Sequence, residues 1–524
     1  MQFNQNRNSV GTTGAGDTHF ASTVHNAIQK STFYRDQVVK TTFNAGRLIP
    51  IYIDEVIPGD THEIDLAYIT RLATPLFPTM DEIELDFYFF FVPNRLTWTG
   101  WQTLHGENIS SPWIPGTQPS LVPGYTGAPG VIVGSGGLGD YYGVPVGYTL
   151  GTNADDNALS ALPLRGYYLI WNRWFRDQNL QAPKSVSLTS SADLNTDLNN
   201  TPLQVCKKHD YFTSALPAAS KGVINNSGAQ ARSPLFLTGT LTFPLNATQL
   251  SDNIQNNNGK DVTGSAFAGN INMIQALRNA AQLNKLLERD ARGGTRYVEL
   301  LKSHFNVEAE DYRLQYPEFL GHHHTVMGMS QVPQTSSTDE TSPQGNLAAY
   351  AMTAGRGNGF RKSFVEHGYI HGFVVARQRK TYQQGIERFW SRRDRFDFYY
   401  PELAHITEQP ILCREIYAKA TADDKKVFGF QEAWADYRYK PNRVSGQFRS
   451  NAGVSLAPWH YADYYSSLPV LSDAWIKDNS LENIDRTLAV DSSVRDQFIL
   501  DLKIMNKTTR PMPVYSIPGL LDHF

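Results

Sequence analysis

Cysteine is nearly missing. The 524 residues contain two, Cys206 and Cys413. Two thiols cannot build a disulfide framework, and they suit a reducing compartment. Each is read as an inert small residue rather than a nucleophile. Long apolar runs are missing as well. None approaches the roughly 20 residues that cross a membrane as a helix. The N-terminal MQFNQNRNSVGTTGAGDTH lacks the apolar centre of a secretion signal. Net charge is slight: 47 Lys and Arg against 50 Asp and Glu leave −3. The chain is therefore no polycation, and any contact with nucleic acid has to come from a local patch.

Catalytic signatures are missing too. There is no G-x-S-x-G, no Walker A motif and no C-x-x-C. His62-Glu63 opens an H-E-x-x-H, but Leu66 stands where the second histidine belongs. Gly134 to Gly139 spells G-x-G-x-x-G after Val131-Ile132-Val133. A dinucleotide site needs a helix to start there, and the following DYYGVPVGYTLG cannot be a helix interior. A Gly-rich loop is the reading. His322-His323-His324 is read as a surface or turn cluster, because adjacent side chains diverge and rarely close one metal site. The expectation is a protein that is not an enzyme and carries no cofactor or metal.

What the chain has is aromatic residues, 12% of the total. They concentrate in Ile83 to Asn94, IELDFYFFFVPN. Ile83, Leu85 and Phe87 alternate with Glu84 and Asp86, the period of a strand with one wet face. From Phe87 to Val92 the run is unbroken, as in a strand covered on both sides, and Pro93 ends it. Further extended segments are expected at Thr41–Pro50, Ile51–Ile57 and Glu63–Thr70, with Pro58-Gly59-Asp60 as a turn. Others are expected near Tyr369–Ala376 and Gln497–Met505. Strands with no helix between them point to an antiparallel all-β core.

Apolar spacing of 3.6 predicts a helix over Gly166–Leu180, with Tyr167, Ile170, Trp171, Trp174 and Phe175 on one face. A second is predicted over Ile271–Ala291 and stopped by Gly293-Gly294. Residues 1–19 read as a flexible arm. Residues 112–157 read as a Gly/Pro/Tyr-rich loop. Residues 184–270 are polar and weakly periodic, apart from a strand-like stretch at Pro234–Pro244. Between Arg356 and Arg395, ten Lys and Arg against three Asp and Glu leave a local charge of +7, interleaved with aromatics.

Several stretches together resemble one family. They are TTFNAGRLIP from Thr41, RLATPLFP from Arg71, FFFVPNR from Phe89, RWFRDQNL from Arg173, DARGGTRYVELLKSHF from Asp290, TYQQGIERFWSRRDRFD from Thr381, YRYKPNRVSGQFR from Tyr437 and RPMPVYSIPG from Arg510. Their order and spread resemble the major capsid proteins of microviruses, small single-stranded DNA bacteriophages, and most of all the gokushovirus branch.

The resemblance implies a mainly β fold, an eight-stranded antiparallel jelly roll with very long loops. It implies a single capsid domain in a self-assembling T=1 icosahedral shell around a circular single-stranded DNA genome. Implied partners are other copies of the chain, a small basic DNA-packaging protein, a pilot protein, an internal scaffolding protein and a host-cell surface receptor. The implied location is the virion, assembled in the host cytoplasm. Residues 184–270 then correspond to the variable insertion that forms a three-fold surface protrusion. In the basic run, Arg377, Arg379, Lys380, Tyr382, Trp390, Arg392 and Arg393 are candidates to face nucleic acid. The alternative is that its arginines pair with acids of neighbouring subunits. Arg292 and Arg296 are candidates for assembly. Other functional readings are a carbohydrate-binding or depolymerising phage protein and a soluble nucleic-acid-binding protein.

Overall fold

The computed structural model describes residues 29–107, 121–126, 130–150, 159–219, 278, 281–294, 296–308, 310–335, 344–406 and 408–515. Eight long strands carry the fold: β1 (Gln37–Phe43), β2 (Ile49–Val56), β3 (Thr61–Leu72), β4 (Ile83–Pro93), β5 (Glu318–Met327), β6 (Leu347–Ser363), β7 (Gly368–Gln378) and β8 (Phe498–Arg510). They form two antiparallel sheets. One runs β5-β4-β7-β2. The other runs β1-β8-β3-β6, extended at its ends by short strands Ser31–Tyr34 and Met329–Pro333.

Side-chain alternation explains how the sheets meet. In β3, His62, Ile64, Leu66, Tyr68, Thr70 and Leu72 are buried. In β8, Phe498, Leu500, Leu502 and Ile504 do the same. These apolar rows close on Ile83, Leu85, Phe87, Phe89 and Phe91 of β4 to make the first core. The opposite face of β4 puts Phe90 and Val92 into a second core, closed by the helix α1 (Leu162–Ile170). The aromatic strand is thus covered on both faces, as its unbroken run predicts. Its first half is not wet, however. Glu84 and Asp86 are buried because cations cover them, as described below.

Local differences from expectation have physical causes. Thr41–Pro50 splits in two, because Gly46 turns the chain at φ 73° between β1 and β2. The first helix begins at Leu162, four residues earlier than the apolar stripe predicts, with a proline in its first turn. It passes into a π-helical turn, Trp171–Phe175, and Arg176 leaves in extended conformation. The wider turn rotates later positions off the stripe, so Trp174 is partly exposed while Trp171 and Phe175 are buried. The second helix is described over 281–292 and stops at Gly294, φ 96°. Its expected start, the arm at 1–19 and Pro234–Pro244 lie outside the described residues.

The Gly-rich motif is followed by one helical turn, Leu138–Tyr141. A Cβ on Gly137 would stand 2.8 Å from the Leu198 carbonyl oxygen, so close packing accounts for that glycine. Residues 184–219 are anchored at several points, although much of 185–194 is exposed. Leu198 and Val205 join the second core. Tyr211, Phe212 and Ala215 join a third, with Ile411, Ile416, Phe428 and Trp475. The remainder of the expected insertion, 220–270, lies outside the described residues. No helix among the described residues is long and apolar enough to cross a membrane.

Candidate nucleic-acid interface

The basic run from Arg356 to Arg395 does not form one surface. Its middle is β7, buried along its length, and the Arg377 side chain is 8% exposed. Arg377 donates to Asp86 Oδ2 at 3.0 Å and to the Tyr88 hydroxyl at 2.8 Å. Asp86 is itself 1% exposed. Burial alone would raise its pKa. Hydrogen bonds from His322 and His324, with the charges of Arg377 and Lys208, hold it well below the usual carboxylate range. The histidine triplet is therefore part of β5, not a turn. His322 and His324 share one face and reach Asp86 Oδ1 at 3.0 and 2.8 Å. His323 points the other way, to the Tyr68 hydroxyl. Among the described residues no group of His, Cys, Asp and Glu is arranged to hold a metal.

Other candidates are also engaged inside the chain. Lys380 is buried, with Nζ 2.6 Å from Asn479 Oδ1 and 3.6 Å from Asp478. Tyr382 is buried and donates to Asp210 at 2.8 Å. Arg392 pairs with Asp436 and lies 4.1 Å over the Tyr437 ring. These three and Arg377 are structural, because buried cations and hydroxyls need partners within reach. Three candidates do face solvent. Arg379 is 65% exposed although it pairs with Glu84. Trp390 is 71% exposed beside Phe389. The exposed Arg393 offers its side chain while its backbone N–H donates to Asp397.

Trp390 stands on the rim of a cleft of about 900 Å³. One wall is the segment from Gln383 to Arg392, and the other runs from Asp436 to Arg449. Each acid of the cleft is matched by a cation: Glu415 by Arg388, Asp436 by Arg392 and Glu387 by Lys440. Arg414, Arg443 and Arg449 remain in excess on the lining, with no carboxylate paired to them among the described residues. Exposed rings of Phe389, Trp390 and Tyr437 alternate with them. Such a cleft can hold phosphate oxygens on guanidinium groups and a planar ring on an aromatic face. Arg414, Arg443 and Arg449 were missed because they lie far along the chain. The signal was present in YRYKPNRVSGQFR, which is basic and aromatic in the same way as the earlier run.

The assembly candidates are ion-paired within the chain, although the Arg292 side chain is 41% exposed. Arg292 pairs with the buried carboxylate of Glu408. Arg296 donates to the carbonyls of Arg173 at 2.7 Å and Arg176 at 3.1 Å, and pairs with Glu299 at 3.0 Å. It pins the helix α2 (Tyr297–Phe305) to the end of the π-turn. Burial pushes the Cys206 thiol up to about 11 and raises that of Cys413. Both thiols are therefore unreactive at neutral pH.

Comparison with known proteins identifies the family. A family described as capsid protein (F protein) matches residues 22–520. The chain is 40% identical to capsid protein VP1 of Bdellovibrio phage phiMH2K, 37% to that of Spiroplasma virus 4 and 35% to that of Chlamydia phage 1. In each case the match covers 94% of this chain and 96% of the relative. The chain belongs to the F-protein family of phage capsid proteins and is a major capsid protein, not an enzyme.

Proposed function

We propose that the chain folds as an eight-stranded jelly roll and is the subunit of a T=1 icosahedral shell. The supporting observation is strand order. β1-β8-β3-β6 faces β2-β7-β4-β5, and successive strands cross between the sheets at every step except β4 to β5, the order of a rolled-up pair of Greek keys. The shell encloses a circular single-stranded DNA genome. It is built with an internal scaffolding protein, a small basic DNA-packaging protein and a pilot protein in the host cytoplasm, and the virion then meets a host-cell surface receptor. The variable insertion expected over residues 184–270 supplies the outward protrusion at the three-fold axis.

The cleft beside Trp390 is the place where this subunit meets packaged DNA. A base stacked on an aromatic ring is worth roughly 1–3 kcal/mol and needs no particular sequence. Phosphate contacts are equally indifferent to sequence. That suits a shell which must accept a whole genome. Arg393→Glu, next to the cleft wall, with Arg443→Glu, on its lining, tests the reading, since neither guanidinium is ion-paired among the described residues. Particles should form in normal number, seen by electron microscopy, but with less DNA per particle by absorbance ratio. Failure of the empty shells themselves would make this cleft an intersubunit seam instead.

A further inference from the structure

The π-turn after α1 presents a second basic niche. The guanidinium of Arg173 lies flat on Tyr316, 3.9 Å above the ring centre. Its neighbour Arg296 is matched by Glu299, but no carboxylate pairs with Arg173 among the described residues. Burial and the Arg296 charge hold Arg173 below the ordinary arginine range. Arg176, one turn on, is lowered by burial and by the same Arg296 charge. Guanidinium stays protonated even so. Asp311 and Glu299 are near enough to oppose the shift, but neither makes an ion pair with Arg173, so the subunit carries a partly desolvated cation without a salt bridge. Arg173 opens on a cavity of about 470 Å³. Leu96, Leu188, Pro317 and Tyr297 give that cavity a largely apolar rim, and Gln178 stands on its lining.

We propose that this niche is a contact between subunits and takes a carboxylate side chain from a second copy of the chain. This rests on the shell proposed above. A Glu or Asp brings both parts of the match: two oxygens for the guanidinium fork and a methylene stem for the apolar rim. Arginine and tyrosine in a desolvated, apolar-rimmed pocket are also the residues that anchor protein interfaces. A hydrated phosphodiester strand fits the wide Trp390 cleft better. With 50 Asp and Glu in each copy, acids for the niche are plentiful.

The test uses the full chain expressed with the remaining phage proteins. Arg173→Gln removes the cation. Gln178→Glu leaves Arg173 in place and supplies a carboxylate from within the subunit, facing the incoming one. Particle yield by sedimentation should fall by about tenfold or more for each, while near-ultraviolet circular dichroism and Tm of the isolated subunit stay at wild-type values. Normal yield from Gln178→Glu overturns the proposal, even if Arg173→Gln fails to fold. Normal particle numbers with reduced DNA also overturn it, and place a phosphate in the niche. If the wild-type chain forms no particles in this system, the shell reading itself falls.

Discussion

Arg165 shows how a single charge can tie distant loops together. Its guanidinium is 1% exposed, yet it donates to both oxygens of Asp193 and to the carbonyls of Thr97, Thr189 and Ser191. Arg165→Ala would leave a carboxylate and three carbonyls without that donor. The expected loss is roughly 3–5 kcal/mol, read as a lower denaturation midpoint with little change in slope. Buried histidines set the response to acid. Burial lowers the pKa of His62, and that of His371 falls to about 3. An imidazole that resists protonation when folded binds its proton more readily unfolded. Stability is then full above about pH 6.5 and is lost as pH falls from there towards the folded pKa, at about 1.4 kcal/mol per unit for each histidine. The subunit Tm should therefore drop between pH 7 and pH 5, and His371→Gln should reduce the slope of that drop.

At the scale of elements, β4 decides the architecture. Phe89 faces the core between the sheets, and Phe90 faces the core under α1. Phe89→Asp and Phe90→Asp should each cost several kcal/mol, measured as loss of soluble subunit. Soluble, assembly-competent protein from both would contradict the two-sided burial. Alternation made β3 and β8 legible in the sequence, because one face of each meets an apolar core, while the unbroken aromatic run marked β4 as covered on both faces. The same rule failed for β6. Gly355, Gly357 and Gly359 carry no apolar side chains to mark a strand, and they make room for neighbouring groups. A Cβ on Gly355 would stand 2.6 Å from the Tyr68 hydroxyl. A glycine that serves a cross-strand neighbour cannot be told from a loop glycine without knowing the neighbour.

At the scale of the whole molecule, long excursions leave the two sheets and partly pack back onto them. Leu198, Val205, Tyr211, Phe212 and Ala215 anchor the stretch from 184 to 219 in the second and third cores. Limited proteolysis of intact particles should cut within the proposed insertion, 184–270, before it cuts 41–101 or 369–400. The reverse order, read by mass spectrometry of the fragments, would remove the protrusion from this segment.

Sequence by itself determined the antiparallel β core, its aromatic central strand, the first helix and the capsid family. Those properties rest on local periodicity and on residue order, and both survive in one dimension. Only the tertiary structure decided which basic residues are available. Arg377 and Arg393 stand in the same charged run, yet one is buried against Asp86 and the other faces solvent. The acid that neutralises Arg377 lies 291 residues away. Arg414 and Arg443 reach the cleft beside Trp390 from later parts of the chain that sequence position alone does not bring together. Charge pairing depends on distance in space, and the sheets that set those distances join segments hundreds of residues apart.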